Sequence, residues 1–79
     1  MAVSIAVTNV WEAGRVPTSQ GEKQVWRFEF AVAGDRRLQF KIVITETGGQ
    51  FLEAQHNATI EFKRFMREAA AAADSFNPA

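Results

Sequence analysis

The sequence predicts an α+β fold in which a three-stranded antiparallel sheet, a β-β-β-α meander, packs on one long C-terminal amphipathic helix. Apolar residues recur with a helical period over residues 50–76. Apolar and polar residues alternate in three earlier segments, over residues 2–11, 24–33 and 37–46. Polar or glycine-containing stretches separate these segments. We expect residues 1–79 to form a single domain.

The first strand is predicted over residues 2–11, and one of its faces carries the larger apolar side chains. That face consists of Val3, Ile5, Val7 and Trp11. Residues 12–23 are rich in Gly, Pro, Ser and charged residues, which is typical of a loop. A loop of this length is unusual between two strands of a hairpin. It is interpreted either as a plain connector or as a binding loop.

The second and third strands are predicted to form a hairpin whose register follows from their apolar faces. Those faces consist of Trp26, Phe28, Phe30 and Val32 in one strand and Leu38, Phe40, Ile42 and Ile44 in the other. Opposed residues of an antiparallel pair lie on the same side of the sheet. A three-residue loop over residues 34–36 obeys that rule by pairing Val32 with Leu38. It also places Glu29 opposite Lys41.

The helix is predicted over residues 50–76 because its apolar residues form one stripe. At about 100° per residue, nine of them lie within about 60° of Ala58. They are Phe51, Ala54, Ala58, Phe62, Phe65, Ala69, Ala72, Ala73 and Phe76. The stripe supplies an apolar surface that matches the inner faces of the strands.

This helix is expected to be longer than the sheet that it covers. It would extend roughly 40 Å, whereas an eight-residue strand extends about 27 Å. Its alanine-rich end is interpreted in two ways. Small residues allow two helices to approach closely, which favours pairing with a second subunit, but alanine is also helical without a partner. The candidate dimer interface consists of Ala69, Ala72, Ala73 and Phe76.

The composition argues against an enzyme. The chain has no cysteine, no tyrosine and one histidine, His56. A Cys-His pair is therefore excluded, and no serine has the context of an activated nucleophile. Glu53 and His56 have the Glu-x-x-His spacing of di-iron sites, but those sites need a second such motif. We expect no catalytic residues, no cofactor and no metal.

The net charge and the hydropathy limit the classes of partner that this chain can have. Nine basic and nine acidic residues give a net charge of zero, which argues against a protein that mainly coats nucleic acid or anionic lipid. No apolar run is long enough to span a bilayer, and the N-terminus does not resemble a signal peptide. A cytoplasmic protein with no membrane partner is expected.

An exposed isoleucine is the most specific anomaly in the predicted helix. Ile60 projects about 200° from the centre of the apolar stripe. Basic or ionisable residues surround it, which is typical either of an isolated surface residue or of an interface anchor with a charged rim. The candidate partner-binding site consists of His56, Ile60, Lys63, Arg64 and Arg67.

The outer face of the sheet is an alternative site, for DNA or RNA. It would present the candidate nucleic-acid-binding residues Arg27, Arg36, Arg37 and Lys41. These side chains suit phosphate and base-edge contacts. Three antiparallel strands followed by one helix resemble plant AP2-type and phage integrase arm-type domains, which read DNA with the sheet. That resemblance implies a sheet-face DNA- or RNA-binding domain as the alternative function.

The favoured hypothesis is a small non-enzymatic interaction module that binds, and in its candidate role inhibits, a larger protein or nucleoprotein complex. A homodimer through the C-terminal helix is part of this hypothesis. A small, neutral, cysteine-free α+β chain is similar in size and character to inhibitors encoded by phages and mobile elements. Anti-CRISPR proteins are one group of these inhibitors.

Overall fold

The computed structural model describes residues 3–35 and 38–78 and confirms the predicted α+β architecture. Three strands form one antiparallel sheet in the order β1-β2-β3, and one helix follows and packs on the sheet. The elements are β1 (Ser4–Thr18), β2 (Gly21–Ala33), β3 (Gln39–Gly48) and α1 (Phe51–Ser75).

The first hairpin corrects the prediction of a loop over residues 12–23. β1 continues to Thr18 and β2 begins at Gly21, so the turn is only two residues long. The Thr18 hydroxyl donates a hydrogen bond to the Gly21 carbonyl at 2.5 Å and accepts one from the Gln20 N–H at 3.2 Å. Pro17 is tolerated because β1 is an edge strand, where an N–H is not needed by a further neighbour.

The polar composition of residues 12–23 reflects exposure on both sides. β3 pairs only with residues 24–33 of β2, so the hairpin continues beyond the three-stranded region as a two-stranded arm. Neither β3 nor α1 covers the tip of this arm, whose residues are mostly exposed. A strand that is exposed on both faces does not need alternating apolar and polar residues. Its composition can therefore resemble that of a loop.

A β-bulge in β1 changes which residues face the helix. The register shifts at Thr8, where β1 has one more residue than β2. As a result, Val10 lies opposite Phe28 and packs against the core. Trp11 lies opposite Arg27 on the outer side of the sheet, so its predicted inward position is wrong. The extra residue reverses the alternation for the residues that follow it.

The second hairpin has the predicted faces but a different register. Val32 pairs with Phe40 instead of Leu38, and the last pair is Ala33 with Gln39. The three-residue loop is therefore wrong, since residues 34–38 lie between the paired strands. A displacement of two residues keeps every paired side chain on its predicted face, because the strand period is two. The predicted inward position of Leu38 is wrong, since it lies before β3 and is 62% exposed. The apolar pattern alone could not distinguish these two registers.

The helix crosses β2 and β3 and forms the core with them. Phe62 stacks on Phe30 with ring centroids 4.4 Å apart and planes at 9°. Phe51 meets Trp26 edge-on at 5.2 Å. The buried core cluster consists of Phe28, Phe30, Val32, Ala54, Ala58 and Phe62. These contacts show that α1 runs from the Trp26 end of the sheet towards its Val32 end.

A close approach at Gly48 allows the chain to turn from β3 into α1. A Cβ at Gly48 would lie 3.2 Å from both the Cβ and the backbone nitrogen of Ala54. Ala54 is fully buried and its N–H donates to the Gln50 carbonyl at 3.1 Å. The glycine therefore lets the first turn of the helix pack tightly against the end of the strand.

The tight first hairpin predicts a specific cost for replacing Gly21. Its φ is +103°, which L side chains rarely adopt, although a Cβ there would have open space around it. We expect Gly21→Ala to lower the free energy of unfolding by about 1–2 kcal/mol, measured by urea denaturation. Gly49→Ala is the matched control, since a Cβ there also meets open space without this φ. Equal effects of the two substitutions would contradict the two-residue turn.

Candidate interaction surfaces

The outer side of α1 brings the predicted partner-binding residues together. All five are exposed: His56, Ile60, Lys63, Arg64 and Arg67. Ile60 is 49% exposed, and His56 and Arg64 lie one turn before and after it on the same side of the helix. The result is an apolar side chain inside a rim of basic and ionisable groups, which we call the helix outer face.

The charge of the helix outer face is mainly positive. Arg64 donates a hydrogen bond to the carboxylate of Glu61, so this cation is already paired. Within the described residues, neither Lys63 nor Arg67 has a carboxylate at ion-pair distance. An acidic surface would therefore complement this side of the helix.

The outer side of the sheet carries two of the predicted nucleic-acid-binding residues and one aromatic that the sequence had suggested was inward. Arg27 and Lys41 are exposed, whereas Arg36 and Arg37 lie outside the described residues. Trp11 is half-buried on this side, opposite Arg27. Only an inserted residue in β1 accounts for the position of Trp11, and the sequence has no clear signal for that insertion.

An acidic residue lies in the middle of this outer sheet face. Glu29 accepts a hydrogen bond from the Thr8 hydroxyl at 2.7 Å and lies 3.8 Å from the Lys41 ammonium. Lys41 pairs with Ala31 in the sheet, so this ion pair is diagonal and not directly across as predicted. The contact partly neutralises Lys41, whereas Arg27 has no ion pair among the described residues.

The inner side of the sheet is covered over two of its three strands. α1 packs mainly on β2 and β3, and Val10 is the described residue of β1 that packs against the core. Ile5 and Val7 point to this inner side of β1, since they pair with the buried Val32 and Phe30. Both remain exposed, so part of the apolar face of the sheet has no cover within the chain.

The C-terminal end of α1 forms a second uncovered apolar surface. Ala72, Ala73 and Phe76 of the predicted dimer interface are exposed, and Ala69 is half-buried. An open groove of about 520 Å³ lies along this side of the helix. Its lining consists of Phe65, Glu68, Ala69, Ala72, Ala73 and Phe76. We call residues 69–76 the C-terminal overhang.

The chain as a whole exposes more surface than a compact monomer of its size. A compact monomer of 8.8 kDa exposes about 4,800 Å², whereas this chain exposes 6072 Å². Its radius of gyration is 15.3 Å, compared with about 12 Å for a compact domain of this length. The excess surface, about 1,300 Å², follows from the elongated shape, which measures 49 × 24 × 17 Å.

Two partly buried polar groups lie on the inner side of the sheet at its Trp26 end. Glu46 is half-buried on the inner side of β3, opposite Trp26. Its burial raises the pKa of the Glu46 carboxyl above the usual 4.5, and the negative charge of Glu61 raises it further. The buried indole N–H of Trp26 has no hydrogen-bond partner among the described residues. Both groups lower the stability of the fold at this end of the sheet.

The described residues contain no cluster of three or more His, Asp or Glu side chains that could hold a metal ion. Within the same residues, α1 is not apolar enough over its length to cross a membrane. Comparison with family models, curated proteins and solved structures finds no match for this chain. The surfaces described above are therefore the basis for a proposed function.

The raised pKa of Glu46 predicts a pH-dependent gain from Glu46→Gln. The folded chain binds the Glu46 proton more tightly than the unfolded chain, so stability falls as pH rises from about 4.5 through the raised pKa. We expect Glu46→Gln to raise the unfolding temperature at pH 7 and to have a smaller effect at pH 4. Thermal denaturation of both chains at the two pH values measures this difference. Glu22→Gln, in the exposed arm, is the control, and an equal gain from it would refute the role of burial.

Proposed function

We propose that this protein is a non-enzymatic binding module that docks onto a larger protein through the helix outer face. The observation that carries the proposal is Ile60, which is 49% exposed in the middle of basic side chains. An apolar anchor within a charged rim is typical of residues that dominate the energy of an interface. The charged side chains of the rim can keep contact with water in the complex, so only Ile60 has to lose its water completely on binding.

The partner surface that fits this site is an apolar pocket with carboxylates around it. Burying the exposed part of Ile60 would contribute free energy at about 25 cal/mol per Å². Lys63 and Arg67 are available for acidic groups, because no described carboxylate pairs with them. Complementary charge would speed association and select the partner more than it would add affinity. Binding should therefore weaken as salt concentration rises.

An inhibitory role belongs to the same proposal. A small module without a chemical step of its own acts on a larger complex by occupying a surface that the complex needs. The elongated shape, 49 × 24 × 17 Å, supports this role, because a rod covers more of a partner than a compact domain of equal mass. The similarity in size and character to phage inhibitors, including anti-CRISPR proteins, is consistent with this role.

The second candidate function is binding of single-stranded nucleic acid by the outer sheet face. It is favoured by Trp11, which lies on that face opposite Arg27. An aromatic side chain beside a free cation can stack on a base and contact a phosphate. Glu29 opposes this function, because its negative charge lies in the middle of the face and pairs with Lys41.

The helix outer face can be tested by capture of partners from cells that express the gene. We expect Ile60→Asp to abolish capture of proteins that wild type retains, because an aspartate cannot enter an apolar pocket. Val16→Asp is the control, since Val16 is an exposed aliphatic residue in the β1 arm, away from α1. Identical proteins captured by wild type and Ile60→Asp would rule out the proposed site.

The nucleic-acid function can be tested with labelled single-stranded DNA and RNA across salt concentrations. If that function is correct, Arg27→Ala will weaken binding and reduce its salt dependence, whereas Arg15→Ala in the exposed arm will have little effect. Fluorescence anisotropy at low salt gives the affinity of each chain. Negligible binding by wild type at low salt would eliminate the second candidate.

A further inference from the structure

We propose that two copies of this chain form a two-fold symmetric dimer, in which the C-terminal overhang of each copy covers β1 of the other. The occupant of the uncovered apolar surfaces is thus a second copy of the same chain. This inference does not depend on the helix outer face, since Ile60 projects from the other side of α1. The two proposals can therefore fail separately.

The width of the sheet explains why one helix leaves β1 uncovered. Neighbouring strands are about 4.8 Å apart, and a helix with its side chains is about 10–12 Å across. One helix therefore covers about two strands, and here these are β2 and β3. A second helix is needed beside α1 to bury Ile5 and Val7, and residues 3–35 and 38–78 contain only one.

The direction of α1 brings the overhang to the correct end of the sheet. Phe51 contacts Trp26 near one end, and Phe62 stacks on Phe30 further along. The helix then continues past the row formed by Ile5, Val32 and Phe40. From Phe62 to Ser75 it extends about 20 Å at 1.5 Å per residue. The overhang therefore projects beyond the same end at which Ile5 and Phe40 are exposed.

A two-fold axis beyond this end would satisfy both surfaces at once. The two overhangs would lie antiparallel, each extending over the sheet of the other copy on the side that its own helix leaves open. A two-fold interface is reciprocal, so each contact in it forms twice. The helix stripe of each copy therefore packs on the sheet face of the other copy. The small side chains Ala69, Ala72 and Ala73 allow the two helices to approach closely.

The available apolar area is sufficient for a stable dimer. Phe40, Phe65 and Phe76 are 48%, 50% and 73% exposed, which corresponds to roughly 340 Å² at about 200 Å² per phenylalanine. Ile5, Val7 and Leu38 add further exposed apolar area. A stable interface buries about 800 Å² per partner, of which somewhat more than half is apolar. The three phenylalanines alone supply most of that apolar area, at about 340 Å².

The oligomeric state tests the dimer directly. We expect wild type at about 100 µM to sediment at twice its chain mass of 8.8 kDa, and Ala72→Glu to sediment at the chain mass. Ala71→Glu is the matched control, because Ala71, the residue before Ala72, points away from the apolar stripe. Far-UV circular dichroism confirms that both variants are helical. A monomeric wild type, or a dimer that Ala72→Glu leaves intact, would overturn the proposal.

Disulfide cross-linking tests which surfaces are in contact in the dimer. The chain has no cysteine of its own, so only the introduced cysteines can form disulfides. Chains with Ile5→Cys and chains with Ala72→Cys are mixed and oxidised mildly. We expect a disulfide between the two different chains, identified by mass, to form at least tenfold faster than between Val16→Cys and Ala72→Cys chains. Equal rates would overturn this interface even if wild type is dimeric.

Discussion

One helix on a three-stranded sheet is the constraint on which the rest of the structure depends. The stacked rings of Phe62 and Phe30 fix α1 over β2 and β3, and this position buries Phe28, Ala54 and Ala58 completely. The same position leaves Ile5 and Val7, on the inner side of β1, exposed. The chain therefore has a small, well-packed core beside an apolar surface that it cannot bury alone, which is a costly arrangement for 79 residues.

The exposed surfaces have different characters, and that difference supports different roles for them. The overhang and the inner side of β1 are apolar and lie at one end of the molecule, which suits a permanent contact between identical chains. The helix outer face combines one apolar anchor, Ile60, with cations, which suits recognition of another protein. A dimer would present two copies of the helix outer face, so a partner with two such sites would bind with increased avidity.

The sequence predicted those features that depend on a single period. The helical stripe and the inner faces of β2 and β3 follow from regular spacing, so the architecture, the core and the solvent side of α1 could be predicted. Features that interrupt the regular spacing of apolar residues could not be predicted. The bulge at Thr8 moved Trp11 to the outer face, the two registers of β2 and β3 obey the same alternation, and the exposed arm had no periodicity to detect. The open side of β1 depends on the relative widths of helix and sheet, which no sequence pattern encodes.

The central claim is that a second copy completes the fold, and the concentration dependence of thermal unfolding tests it most directly. A hundredfold increase in concentration stabilises a dimer by about 2.7 kcal/mol against its unfolded chains. For two chains of this size, the unfolding temperature should then rise by about 5–10 °C between 2 and 200 µM, monitored by circular dichroism. An unfolding temperature that does not change over this range, while unfolding stays reversible, would contradict the account.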